Sequence, residues 1–214
     1  MKLYGYYRSS ASYRIRIILN FKGIAWDDVP VMLNRGEHHG ETFRAVNPMG
    51  FVPVLVDGDE RLSQSPAIAD YLEERHPSPA LLPVDPVERA RVREIQGLIG
   101  CDIHPLQNLR VLKHLRNRYG EDDDGVAAWC RHWIEAGFRT VETLAKERSK
   151  EGRFCVGDRP TLADVWLVPQ LYNARRWQVD LEPYPVIVGI GRHCETLDAF
   201  AAAHPARQPD APAE

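Results

Sequence analysis

Residues His76 to Pro86 read HPSPALLPVDP, with prolines at positions 77, 79, 83 and 86. Proline lacks an amide hydrogen and its ring clashes with the preceding helical turn. No helix can run through this stretch and no central strand can hold it. The segment reads as a linker, and it separates two parts with different hydrophobic periods. Before it, apolar residues alternate between strand and helix patterns. Lys2 to Tyr7 predicts a strand, and Ser12 to Lys22 a helix stopped by Gly23. Trp26 to Met32 predicts a second strand, and Asn34 to Arg44 a polar loop with a short helix. Pro53 to Val56 predicts a third strand, turning at Asp57-Gly58 into a short fourth near Arg61-Leu62. Ser65 to Arg75 predicts a helix with Pro66 in its first turn, where a missing amide hydrogen costs nothing. The order is β-α-β, then β-β-α, around one small mixed sheet. After the linker nearly every pattern is helical: Val87 to Tyr119 with a break near Pro105, Gly125 to Arg148, Thr161 to Arg176, and Pro185 to Ala203. The final HPARQPDAPAE reads as a frayed tail. The expected architecture is an α/β domain over residues 1–82, a linker over 83–87 and an all-α domain over 88–214.

Composition narrows the function. The 214 residues are 44% hydrophobic and 27% charged, enough for a sizeable core. A formal net charge of −3 gives no reason to expect a nucleic acid or an anionic membrane as partner. No apolar run approaches the roughly 18 residues of a membrane span. MKLYGYYRSS lacks the long apolar region of a signal peptide and reads as the start of the fold. Cys101, Cys130, Cys155 and Cys194 form no C-x-x-C pair, so buried, reduced thiols of a cytosolic protein are expected. His38-His39 stands outside any H-E-x-x-H pattern, and no metal site is expected.

Three short stretches carry chemistry. YYRSSASYRIRIIL, Tyr6 to Leu19, places Arg8 and three serines where a strand hands over to a helix. A helix start needs an N-cap, a role suited to Ser12, and it is also an anion site. In NPMGFVPVL, Asn47 to Leu55, Val52-Pro53 precedes an apolar strand. Either the proline belongs to a plain loop, or a cis bond there turns the Val52 backbone outward to pair with an extended peptide. In SQSPAI, Ser63 to Ile68, Ser65 is a good N-cap. The helix start at Gln64-Ser65 would also suit a carboxylate.

The cis-proline-type loop, the Gln64-Ser65 turn, the linker and the helical second part together resemble the glutathione S-transferase family, over nearly the whole chain. RPTLADV, Arg159 to Val165, carries a Thr161/Asp164 capping box, which recurs in the family's second domain as a folding element. RSSASYRIRI looks like the zeta-class signature R-S-S-C-S-x-R-V-R-I-A-L. Ser9, Ser10, Ser12, Arg14 and Arg16 match it, and Ala11 stands at the class cysteine. Zeta-class members are glutathione-dependent maleylacetoacetate isomerases, with a bacterial branch that isomerises maleylpyruvate. GCDIHPLQNLR, Gly100 to Arg110, and ARRWQVDLEPYP, Ala174 to Pro185, look like that branch. The resemblance implies a thioredoxin-like first domain, glutathione as cofactor and a cytoplasmic homodimer.

It also implies roles. A free thiol titrates near ~8.5, so only about 3% is thiolate at pH 7. Lowering its pKa by ~2 units requires about 2.7 kcal/mol of preferential stabilisation, which a hydroxyl donor and a helix dipole can supply. By resemblance Ser9 is that hydroxyl, and Ser10 and Ala11 line the site. His38, Gln64 and Ser65 hold the ends of glutathione, and Val52, next to Pro53, pairs with its cysteinyl backbone. Asp102, His104 and Asn108 lie near the peptide, from the same or the neighbouring subunit. The substrates are dianions whose reaction develops an oxyanion, which guanidinium suits. Arg8, beside Ser9, is one candidate; Arg110 and Arg176 are the others by resemblance. Arg14, Arg16 and Arg175 are expected on solvated helix faces. The expectation is a cis–trans isomerase of maleylpyruvate, with maleylacetoacetate as alternative. Behind these stand a conjugating transferase, which would leave the arginines idle, and a non-enzymatic interaction protein of the same fold.

Overall fold

The computed structural model describes residues 1–212. They form two compact units, one made of Met1–Ala80 with the segment from Thr196 onward, the other of Leu81–Glu195.

The first unit is built on a four-stranded sheet in the order β2-β1-β3-β4. β1 (Lys2–Gly5) pairs parallel with β2 (Asp27–Pro30) and antiparallel with β3 (Val54–Asp57), and β3 pairs antiparallel with β4 (Glu60–Ser63). The parallel pair needs a crossover, and α1 (Ser10–Phe21) supplies it. Leu3 and Leu55, directly opposite each other in β1 and β3, are fully buried, as are Ile15, Ile17, Ile18 and Leu19 of α1. α1 closes at Gly23 with the amide of Ile24 donating to Leu19 O, the bond pattern of a helix stop with a left-handed residue. α2 (Glu41–Arg44) is a single turn after two 3-10 turns, and α3 (Ser65–Arg75) packs beside α1. Lys22 at the end of α1 ties down the start of the linker: its Nζ pairs with Glu73 at 2.6 Å and donates to the carbonyls of His76 and Pro79.

The second unit begins with α4 (Pro86–Gly97), capped by Asp85. The expected break near Pro105 is an irregular stretch. A π-helical turn (Leu98–Ile103) and a 3-10 turn (His104–Gln107) lead into α5 (Leu109–His114) and a second π-helical turn (Leu115–Tyr119). α6 (Asp123–Arg148) follows. α7 (Leu162–Arg176) is buried on all sides from Leu162 to Leu171, which makes it the centre of the unit. Its capping box is formed: Thr161 Oγ accepts from the Ala163 amide, and Asp164 accepts from the Thr161 amide at 2.8 Å. Asp164 also accepts from the Cys155 amide at 2.7 Å. Burial raises its carboxyl above the usual range, and these hydrogen bonds work against that rise.

Two expectations are corrected. The helix foreseen over Pro185 to Ala203 is two, α8 (Pro185–Glu195) and α9 (Asp198–Ala202). The helical domain foreseen over 88–214 therefore ends near Glu195, because α9 packs on α1 in the first unit. The tail foreseen as frayed is docked there as well, as far as it is described. α9 and Ala203 are held by Asn20, which donates to Ala199 O at 3.3 Å, and by Arg16, which donates to Ala203 O at 3.2 Å; within the tail, Asp210 Oδ2 accepts from the Tyr7 amide at 2.8 Å. Pro205 of the tail is buried. Residues 213 and 214 lie outside the described chain. Among the described residues no helix is long and apolar enough to cross a membrane.

Candidate functional site

In the first unit the candidate residues sit on three adjoining chain turns at one end of the sheet. The first is the β1–α1 turn. Its N-cap is Ser9, not Ser12: Ser9 has extended backbone angles and its Oγ accepts from the Ser12 amide at 3.2 Å. Ser12 is inside the helix and buried, its Oγ accepting from the Tyr6 amide at 3.4 Å. Capping takes only a lone pair of Ser9, so its hydroxyl hydrogen is available to donate to a further group. Ser10, buried, and Ala11, half-buried, are the first residues of α1, whose opening amides have no intrahelical acceptor. Arg8 is exposed beside them. Burial, helped by a hydrogen bond with Tyr7, pushes the Tyr6 phenol up to about 12, so it stays neutral.

The second turn carries Val52 and Pro53, and the bond between them is cis. The Val52 backbone takes no hydrogen bond within the described residues, which leaves its N–H and C=O for an outside partner. Two residues that the sequence reading passed over hold this loop. Asn47, buried, donates to Phe51 O at 2.8 Å and accepts from the Met49 amide at 3.1 Å. Gly50 has φ +66°, and a Cβ there would lie 2.7 Å from His38 O. Only glycine both takes that backbone angle and lets the His38 turn come this close. The N-P-x-G pattern is a turn signal that could have singled out both. His38, which its sequence neighbours place in solvent, is only 6% exposed and its ring centre lies 3.9 Å from that of His39.

The third turn starts α3. Gln64, at φ 72° and ψ 113°, holds the cap position in a backbone region that non-glycine residues rarely adopt, and it makes no side-chain cap bond. Ser65 is thus not the cap. It is the first helical residue, buried, with its Oγ accepting from Arg14 Nη1 at 3.3 Å. Arg14 and Arg16 are 1% and 3% exposed. The expectation that they face solvent is overturned. Arg14 reaches the α3 turn, and Arg16 donates to the carbonyls of Tyr6, Tyr7 and Ala203. Nothing in their sequence neighbourhood gave a sign of this, because a buried arginine is recognised only by the acceptors around it.

In the second unit, Asp102 and His104 belong to the irregular stretch before α5, and Asn108 caps α5 by accepting from the Arg110 amide at 3.1 Å. Arg110, on α5, and Arg176, on the last turn of α7, are both exposed. Val111 and Trp177, their neighbours in sequence, pack against the same cluster of Leu112, Leu115, Val126 and Cys130. The Arg176 guanidinium carbon lies 5.8 Å from the Trp177 ring centre, and its Nη1 donates to Asn173 Oδ1 at 3.0 Å. Cys130 beneath them is pushed up to about 12 by burial, although Arg176, Arg131 and Arg116 pull the other way. Cys155 and Cys194 are also buried and raised, while Cys101 is exposed, against the expectation of four buried thiols; all four are unpaired. Arg175 is exposed as expected, paired with Glu195 at 2.6 Å. Among the described residues no group of three or more His, Cys, Asp or Glu side chains could hold a metal ion.

Comparison with known proteins bears on these turns. Residues 3–80 match the glutathione S-transferase N-terminal domain. The chain is 50% identical to a maleylpyruvate isomerase of Ralstonia, covering 98% of this chain and 99% of that one. It is 51% identical to a maleylacetoacetate isomerase of Pseudomonas aeruginosa, covering all of both. Among solved structures it is similar to the holo structure of a maleylpyruvate isomerase described as a bacterial zeta-class glutathione S-transferase. The TM-score is 0.97 at 50% identity, over 99% of this chain and 100% of that one. It is also similar to a maleylacetoacetate isomerase of Anaeromyxobacter dehalogenans with dicarboxyethyl glutathione and citrate in its active site. There the TM-score is 0.87 at 45% identity, over 99% of this chain and 93% of that one.

Proposed function

This chain belongs to the glutathione S-transferase family, in its zeta class, and from that premise we propose that it is a glutathione-dependent cis–trans isomerase converting maleylpyruvate to fumarylpyruvate. The observation that carries the reading is the Ser9 turn: a hydroxyl that caps α1 with its oxygen and keeps its hydrogen for a ligand. The first unit's other turns suit the tripeptide. Val52 offers an unpaired backbone N–H and C=O for an extended peptide, and the start of α3 offers amides and a positive dipole end to a carboxylate. Glutathione supplies, when bound, the thiolate that adds to the cis double bond and leaves again once the bond has turned.

The protein's part is to keep the sulfur charged and to meet the charge that develops on the substrate. Ser9 donates to the sulfur, the α1 dipole favours its negative form, and Ser10 and Ala11 line it. Val52, beside Pro53, aligns the peptide, while His38, Gln64 and Ser65 hold its ends. Asp102, His104 and Asn108 are assigned to the peptide as well. Arg8, next to Ser9, is assigned to the keto oxygen, where negative charge appears during the reaction; Arg110 and Arg176 are assigned to the two carboxylates. A dicarboxyethyl group on glutathione, as found in the Anaeromyxobacter relative, is what a thiol gains by adding across a butenedioate double bond. The same residues serve maleylacetoacetate, and the 51% identity to the Pseudomonas enzyme supports it as alternative substrate. The reading carries with it a homodimer working in the cytoplasm.

The test is turnover of both maleyl keto acids by purified protein, with and without glutathione. Glutathione-dependent formation of the fumaryl product is expected, with the larger kcat/KM on maleylpyruvate. Binding of glutathione without turnover of either acid would leave a conjugating transferase. A Ser9→Ala variant is expected to lose about 20-fold in kcat at pH 7, with the bound thiol titrating up to ~2 units higher by its thiolate absorbance.

A further inference from the structure

Gln107 and Asn173 are buried amides with no place in the reading above, and Asn173 touches one of its arginines. Gln107 Nε2 donates to the main-chain carbonyl of Ile103 at 3.0 Å. Its Oε1 accepts from Gln170 Nε2 at 3.0 Å and from Asn173 Nδ2. Asn173 in turn presents Oδ1 to Arg176 Nη1 at 3.0 Å. The sequence of donors and acceptors runs in one direction, and a main-chain carbonyl fixes its beginning. Ile103 O can only accept, so the amide nitrogen of Gln107 must face it and the amide oxygen must face α7. That oxygen draws the NH2 of Asn173, which leaves the oxygen of Asn173 for the guanidinium. Were Asn173 reversed, an NH2 would face a cation.

We propose that Gln107 is a positioning residue for Arg176, acting through the orientation of the Asn173 amide. The inference rests on the assignment of Arg176 to a substrate carboxylate. An arginine on the last turn of a helix has many rotamers, and ordering it on ligand binding costs affinity. Here the Asn173 oxygen holds it at one end and the Trp177 ring lies alongside, so the guanidinium is placed before the dianion arrives. Ile103 is itself tightly packed: its side chain is fully buried, and α6 runs so close to it that a Cβ at Gly137 would collide with it. The specificity for a dianion thus depends on a residue two hydrogen bonds away from Arg176, on a different segment of the chain.

The experiment uses aspartate, which has no wrong way round. Gln107→Leu is expected to raise the KM for maleylpyruvate about tenfold while glutathione affinity, read by calorimetry, changes less than about twofold. Adding Asn173→Asp to Gln107→Leu is expected to restore the KM, since either carboxylate oxygen can face Arg176 without help from Gln107. In an Arg176→Met background Gln107→Leu is expected to add no further rise, because the two act as a unit. A KM that rises by the same factor with and without Arg176, or one that Asn173→Asp fails to restore, overturns the proposal and makes Gln107 a core residue only. An unchanged KM in Arg176→Met alone overturns the carboxylate assignment first, and the proposal with it. Should Gln107→Leu not fold, Asn173→Ala takes its place in the Arg176→Met cycle, with the same two outcomes.

Discussion

In the proposed reading the two units offer ligands different kinds of group. The first offers main chain: the unpaired backbone of Val52, the opening amides of α1 and α3, and one serine that is also a helix cap. The second offers side chains, above all the exposed guanidiniums of Arg110 and Arg176, the latter backed by the buried amides of Asn173 and Gln107. A main-chain site is set by where the chain turns, so it is sensitive to backbone angles and tolerant of most side-chain changes. A side-chain site is lost when one side chain is removed, and it owes its geometry to residues behind it. The contrast suits a constant peptide on one side and a particular dianion on the other.

The largest effect should come from the side-chain half. Arg110→Met or Arg176→Met is expected to lower kcat/KM for the maleyl keto acid by about 100-fold. Glutathione affinity should hold, and stability by urea unfolding should fall by no more than about 0.5 kcal/mol for Arg110→Met, whose side chain is exposed, and by about 1 kcal/mol for Arg176→Met, which leaves the buried Asn173 oxygen without its donor. Equal loss of glutathione binding would erase the contrast. A backbone change should do the reverse. Gly50→Ala forces a Cβ toward His38 O at φ +66°. It is expected to weaken glutathione binding about tenfold and cost about 1–2 kcal/mol of stability, by calorimetry and urea unfolding, leaving the KM for the keto acid alone. The smallest and most telling case is Gln64→Gly. At φ 72° glutamine is strained and glycine is not. The unliganded protein is expected to gain about 0.5 kcal/mol, relief of strain being partly offset by glycine's greater chain entropy, while glutathione binds less well. A variant less stable without ligand would show that the strain is not there.

The same contrast explains what could be read from the amino acids alone. Turns advertise themselves: the prolines of the linker, the Val52-Pro53 loop and the Gln64-Ser65 start of α3 were all found, and α3 runs over Ser65–Arg75 as expected. Period gave the strands to within two residues and placed α1, though its cap is Ser9 because the helix begins two residues earlier than Ser12. The buried partners were not legible. Arg14 and Arg16 look like a solvated face until Ser65 and the carbonyls of Tyr6, Tyr7 and Ala203 are set around them. Gln107 and Asn173 are 66 residues apart, and nothing local tells a glutamine that its partner is on another helix. The break between α8 and α9 escaped notice because apolar spacing continues across it while the chain changes units.

The docking of the last segment on α1 has a consequence for the birth of the molecule. Tyr7 and Asp210, joined by a hydrogen bond, are 203 residues apart. At about 5–20 residues per second the amide of Tyr7 waits roughly 10–40 s for its acceptor to be made. β1 and α1 are made before the helical unit, and Ala199, Ala203 and Asp210, which bond to Asn20, Arg16 and Tyr7, are made after it. The unit that holds the Ser9 turn is therefore finished only after the helical unit has been made between its two pieces.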